Sequence, residues 1–343
     1  MIGLHNLTSF PGQNYKGALP PETPEEAFIC SELQHHVEVL AVEIGERNFE
    51  HYDKLNDAAD YIEQTFLKTG LSVKRQAYSI KDKIYYNIEA EKKGLHQPDK
   101  IIIVGAHYDS LLGSPGANDN GSGIAGVLSL ARAFSAKNPS RTIRFVAFAN
   151  EEPPFFCTKK MGSYVYAKRC KERKENIIAM LSLETIGYYS DKEKSQHYFP
   201  LLGFFYPSQG NFIGFVSNLS SRKLLREVIL SFRRHTQFPS EGGAFPGFFP
   251  GIFWSDHWGF WKMGYHALMV TDTAFLRYPY YHTAQDTPDK IDYEIMSRVI
   301  AGLEKVIGDL AGIEEVIEGD IRAESAKPII LRGESASKNS ESF

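Results

Sequence analysis

Two histidines and four acidic residues close a series of apolar runs in this chain. His107 ends IIIVGAH, Asp119 lies in GANDNGSG, Glu151 and Glu152 follow RFVAFAN, Glu184 ends AMLSLE, and His282 stands in YYHTAQDT. Two imidazoles and three carboxylates form a donor set for a pair of zinc ions. Each ion takes one imidazole and one terminal carboxylate, and the third carboxylate bridges them. The remaining glutamate is then free to act as a base. Residues of these types point to metal-dependent hydrolysis.

Taken singly, these are ordinary features: a histidine at a strand exit, an Asx turn capping a helix, a charged pair at a loop start. The conjunction carries the weight. Asp109, two residues past His107, is placed to accept the other ring N–H and fix the tautomer. Gly116, Gly121 and Gly123 permit a tight backbone around Asp119, and a helix N-terminus behind it favours a carboxylate. No Gly-Lys-Ser/Thr follows, so a phosphate loop fits poorly. Adjacent residues at a strand end, Glu151 and Glu152, can point in different directions, one to metal and one to a reacting water. Pro153 and Pro154 stiffen the exit. Tyr281 brings a phenol beside His282 that can hydrogen-bond a developing oxyanion. The other histidines read as surface or packing residues, with His257 in SDHWGF the least readily placed.

The elements that must position these groups alternate between helical and strand patterns. A helix is expected from Pro24, with an apolar face through Phe28, Leu33, Val37, Leu40 and Ile44, and another over about Leu55 to Thr69. Leu71 to Ile80 and Tyr85 to Ala90 read as strands. The continuous apolar runs Ile101 to His107 and Thr142 to Ala149 suit central strands covered on both faces. Ala179 to Leu183, Phe212 to Val216 and Ala267 to Val270 are further strand candidates. Helices are expected over Gly121 to Ala136, Ser220 to Arg234 and Asp292 to Leu310. The alternation indicates an α/β sheet between helices. Residues 1–23 read as an extended arm, 24–315 as the catalytic domain, and 316–343 as a polar, disordered tail.

The chain has 343 residues, 43% hydrophobic and 23% charged, enough for a sizeable core. A net charge of −4 and the lack of a basic stripe argue against a nucleic-acid partner. Three cysteines without metal spacing favour a reducing compartment. No run is long and apolar enough to span a membrane and no signal segment is visible, so a cytoplasmic location is expected, with export the alternative for a chain whose signal segment was removed.

The joint pattern closely resembles the co-catalytic zinc aminopeptidases, whose superfamily also contains glutamate carboxypeptidase and the glutaminyl cyclases. The resemblance runs from about Glu32 to Leu310. It rests on GAHYDS, GANDNGSG, NEE followed by MGS (Met161 to Ser163), LETIG, SDHWGF and YHTAQDT. It implies a single three-layer α/β domain with a central mixed, mostly parallel, twisted sheet. It also implies two zinc ions bridged by Asp119, with Glu152 and His282 completing one site and His107 and Glu184 the other. Glu151 matches the general base and Tyr281 an oxyanion-stabilising tyrosine. Two departures stand out. The family's usual residue at the Glu184 position is aspartate, so the second metal is expected to be shifted, weaker or of another kind. PPFFCTKK replaces a Leu/Gly-rich run, which bears on the substrate pocket.

The expected activity is removal of N-terminal residues from peptides with a free amino end, by a metal-bridged hydroxide with Glu151 as base. A glutaminyl cyclase is the alternative on the same fold. A carboxypeptidase would need a cation for the C-terminus, and the nearest candidate, Arg277, reads as a surface arginine. A non-catalytic binding domain would have lost ligands or the base, and none is lost. The aromatic segment Ala244 to Trp261 reads either as core or oligomer contact or as an apolar wall beside the site. Oligomeric state is not legible.

Overall fold

A computed structural model of the chain describes residues 7–313. The expected tail over 316–343 lies outside the described residues.

Helix α1 (Pro24–Glu38) begins at Thr23, whose hydroxyl accepts from Glu26 N while the Glu26 carboxylate accepts from Thr23 N. This reciprocal cap, with Pro24 in the first turn, sets the start. Ile29, Leu33 and Val37 are buried, but Phe28 is 52% exposed and lies under the Arg132 guanidinium. The helical period explains the difference from the expected face: Ile29 is four residues before Leu33 and shares its stripe, whereas Phe28 is five before and does not. A wide turn, Val39–Ile44, follows and ends at Gly45 with φ 81°.

After α2 (Tyr52–Lys68) come β1 (Ser72–Ile80), β2 (Lys83–Lys92) and β3 (Gln97–His107). Then follow α3 (Gly123–Ser135), β4 (Arg141–Phe148), α4 (Gly162–Glu172) and β5 (Asn176–Glu184). The chain continues through β6 (Ile213–Asn218), α5 (Arg222–His235), β7 (Ser240–Phe245), α6 (His257–Lys262), β8 (Ala267–Thr271) and α7 (Tyr293–Ala311). The eight strands form one mixed sheet in the order β1-β2-β4-β3-β5-β8-β6-β7. The β4-β3-β5-β8 centre is parallel, as is β6-β7, while β1-β2, β2-β4 and β8-β6 are antiparallel. Three elements, α4, β7 and α6, carried no clear pattern in the sequence.

Alternation along the strands divides the interior. Ile102 and Val104 face a large core with α1, α2, α3, α5 and α7, whereas Ile101 and Ile103 face a smaller one with α4 and α6. The central strands are buried on both faces, as their unbroken apolar runs require. This three-layer α/β packing puts the carboxyl ends of β3, β4, β5 and β8 along one edge, where ligand sites of such sheets form. Residues Phe10 to Asn14 of the arm dock against α5 and β7. Arg233 donates to the carbonyls of Phe10, Pro11 and Gly12, and Asn14 accepts from Ser240 N and donates to Glu241.

Candidate metal centre

All the expected donors sit where β3, β4, β5 and β8 leave the sheet. His107 is the last residue of β3 and Glu184 the last of β5. Glu151 and Glu152 follow β4, and His282 lies in the loop after β8. Asp119 lies in the turn Ala117–Ser122 ahead of α3. That turn starts at Gly116, φ 63°, where an added Cβ would lie 2.6 Å from Asp119 O, so only glycine fits.

The donors form two triads sharing Asp119. Ligand atoms of His107, Asp119 and Glu184 lie within 4.8 Å of one another, as do those of Asp119, Glu152 and His282. His107 Nε2 is 3.3 Å from both Asp119 Oδ1 and Glu184 Oε2. His282 Nε2 is 3.0 Å from Asp119 Oδ2 and 3.4 Å from Glu152 Oε1. These are not hydrogen-bonded pairs. His107 Nε2, both Asp119 carboxylate oxygens and Glu152 Oε1 are buried without a hydrogen-bond partner. Buried polar atoms are almost always satisfied. Unpartnered donors converging from both sides of one carboxylate fit a pair of cations.

The charge balance gives the same reading. Burial pushes Glu151 well above the ordinary carboxylate range, with Glu184 and Glu152 adding repulsion, and pushes Glu152 up to about 7. Burial also raises Glu184. Burial opposes charge on His282 too, but Asp119 and Glu152 outweigh it and lift the imidazole to about 10. The same opposition at His107 is won by Glu184 and Glu151, which raise it. Asp119 is driven up by burial, yet the flanking imidazoles hold it below the usual range. The cluster lacks positive charge, which zinc would supply.

Neighbouring groups aim the donors. The Asp109 carboxylate accepts from Glu151 N and Glu152 N, both at 3.0 Å, and so holds the two glutamates side by side. The ring contact expected of the Asp109 carboxylate is made by its backbone instead: His107 Nδ1 bonds the Asp109 carbonyl at 3.1 Å, while the carboxylate, 3.5 Å away, is taken up by the two backbone N–H groups. Ser255 donates to Glu184 Oε2 at 2.7 Å and anchors its carboxylate. Tyr281 stacks on His282 with ring centroids 3.8 Å apart.

Several positioning residues were missed in the sequence. Arg47, fully buried, donates to the carbonyls of Tyr108, Leu40, Gly45, Pro115 and Gly116, bracing the loop that carries both Asp109 and Asp119. Asp286 accepts from Asn118 N and Asp119 N and from the Tyr278 hydroxyl, so it joins the His282 loop to the Asp119 turn. Asp256 in SDHWGF is buried without a hydrogen-bond partner, and burial lifts it to about 7. Only the AQDT and SDH strings could have pointed to the last two. His257 resolves as a packing residue: it bonds the Ile252 carbonyl at 2.6 Å and rests edge-on against Trp261. Arg277 is not a surface arginine. It is 5% exposed and bound to Gln196 Oε1 and the Tyr188 and Phe212 carbonyls. Its bonds to three loop groups hold the segment after β8.

Beside the centre lies a cavity of about 120 Å³ whose lining includes Glu184, Tyr281, Phe199, Phe249, Trp254 and Phe275. The aromatic segment therefore supplies an apolar wall while also packing its own small core around Phe245 and Ile252.

Comparison with known proteins gives the chain a family and its fold. Residues 87–307 match the family model described as Peptidase family M28. The uncharacterized protein YfbL of Escherichia coli K12 is 37% identical over 292 residues, covering 82% of this chain and 88% of YfbL. Among solved structures, a zinc aminopeptidase from Bacillus subtilis superposes with a TM-score of 0.68 at 16% identity, covering 88% of this chain and 98% of that one. A glutaminyl cyclase from Fimbriiglobus ruber superposes with a TM-score of 0.61 at 18% identity, covering 88% and 99%. At such identities these two likenesses establish the fold.

Proposed function

The chain belongs to peptidase family M28, and from that premise we propose that it is a two-zinc aminopeptidase removing N-terminal residues from peptides. One observation carries this reading: two donor triads share Asp119, and their buried donor atoms have no other partner. His107 and Glu184 with Asp119 would hold one ion, and Glu152 and His282 with Asp119 the other. When bound, zinc supplies Lewis acidity at the scissile carbonyl and the attacking water.

The chain's own residues do the rest. Glu151 is buried, has no place in either triad, and its Oε2 lies 3.9 Å from His107 Nε2. It takes the proton of the attacking water and passes it to the leaving amine, a role that needs the raised affinity for protons that burial confers. Asp109 holds it there through the backbone. The Tyr281 hydroxyl donates to the oxygen that gains charge. The free amino end is received at the same centre, and the cavity takes the first side chain. Three unpaired cysteines fit a reducing, cytoplasmic setting. Among the described residues no helix is long and apolar enough to cross a membrane.

Mass spectrometry of peptide products tests the reading. Loss of an intact N-terminal residue is expected. Loss of ammonia alone from peptides beginning with Gln, with no shortened product, would make the protein a cyclase instead.

A further inference from the structure

Four residues stand side by side across β5, β8, β6 and β7. Glu184 pairs with Thr271, Thr271 with Gly214, and Gly214 with Glu241. Lateral partners in a sheet project from the same face. All four line the cavity beside the metal centre. Glu184, a metal donor, is at one end of the row, and Glu241 is at the other. Three strand spacings separate them, about 14 Å. Gly214 leaves the middle of the row without a side chain.

We propose that Glu241 sets the side-chain preference of this site, selecting peptides that begin with lysine or arginine. The inference rests on the cavity's being the seat of the first side chain. A substrate carbonyl and amine held at the metals leave a gap along the row. Of the ~14 Å row, an extended basic side chain covers about 6 Å from Cα to its charge; the substrate backbone at the centre and the Glu241 side chain take up the rest. The walls suit its stem and its head. Met269 and Val216, one step along the same face, meet the methylenes, and Phe199, Phe249 and Tyr198 offer aromatic faces that attract a cation.

A purely structural role explains Glu241 poorly. Its Oε1 accepts from Asn14 Nδ2 at 2.9 Å, and a neutral amide would accept that bond equally well. Its Oε2 takes no other hydrogen bond among the described residues. Arg233 and Lys16 are near enough to be felt, but neither forms an ion pair with Glu241, and the N–H groups of Arg233 are used by Ser240 and the carbonyls of Phe10, Pro11 and Gly12. Burial among aromatic rings raises the carboxyl's proton affinity, as expected for a carboxylate that awaits a cation.

The test compares lysyl, arginyl, norleucyl and leucyl anilides on the zinc-loaded full chain and on Glu241→Gln. It is joined by calorimetric binding of lysinamide and norleucinamide to both proteins, with and without zinc. Norleucine keeps lysine's stem and lacks its charge. The expected wild-type preference for lysine over norleucine is roughly 10–100-fold in kcat/KM and in affinity. The Lys-to-norleucine ratio should fall toward one in Glu241→Gln, which keeps the Asn14 bond. A wild-type preference for norleucine or leucine, or a ratio unchanged by Glu241→Gln, overturns the proposal. If no anilide is cleaved and Gln peptides cyclise, the aminopeptidase reading fails by itself. The binding ratio of the two amides still decides the role of Glu241.

Discussion

Replacing Arg47 with lysine isolates what holds the metal loop in shape. The guanidinium serves five carbonyls: Nε reaches Tyr108 O at 2.6 Å, Nη1 reaches Leu40, Gly45 and Pro115, and Nη2 reaches Gly116 at 2.9 Å. Burial lowers its pKa only to about 10, with Asp286, Asp109 and Asp119 opposing the fall, so it is charged at neutral pH. A lysine keeps the charge but has three donors at a single point. At least two of the five carbonyls lose their partner. Each orphaned buried group costs about 1–3 kcal/mol, which puts the loss for Arg47→Lys at about 2–6 kcal/mol, a large share of a typical domain's stability. The loop also sets Asp109 and Asp119, so zinc affinity should fall about 10–100-fold, as for other residues that orient ligands. Urea unfolding of the chelator-treated protein measures the first effect, and competition with a zinc indicator measures the second. A variant within 1 kcal/mol of wild type with unchanged zinc affinity would show that the loop holds itself and that Arg47 merely fills space.

Three further outcomes follow from the site and its surroundings. Glu151→Gln keeps the side chain's size and should leave bound zinc at wild-type level while lowering kcat at least ~10²-fold; near-normal turnover with metal bound would remove Glu151 from the proton transfer. Glu184→Ala should release one metal and Asp119→Ala both, because Asp119 belongs to both triads; elemental analysis showing equal losses would break the shared-ligand arrangement. Burial, reinforced by His35, Lys68 and Arg132, depresses His36 from 6.5 to about 4, so the folded chain favours the neutral ring that Tyr61 contacts at 2.7 Å. The unfolded chain then binds the proton first, and this stability is present above pH ~6.5 and lost as pH falls toward about 4, by up to about 3 kcal/mol. Urea midpoints of wild type and His36→Gln at pH 7 and 4.5 should converge at the lower pH; a constant gap would refute the linkage.

The chain order of the donors was legible in the sequence because each belongs to a local signal. A buried central strand reads as an unbroken apolar run, and the residue that ends it is the one delivered to the sheet's carboxyl edge. His107 and Glu184 are of this kind, Glu151 and Glu152 follow shortly after β4 ends at Phe148, and the alternation of such runs with helical patterns carried the α/β class. Elements without that contrast were not legible. β7 reads SEGGAF, with two glycines and no alternation, and becomes a strand by pairing with β6. α4 and α6 are short and lack a clear apolar stripe. Only the tertiary structure decided which groups meet. Arg47 lies 69 residues from Gly116, and Asp286 lies 168 from Asn118, yet each bond closes part of one shell. Glu241 joins the row of Glu184 through three successive strand pairings. Periodicity reports which face a residue takes within its own element. It carries no information on how that element is aligned with a distant one, and that alignment is set by packing over the whole sheet.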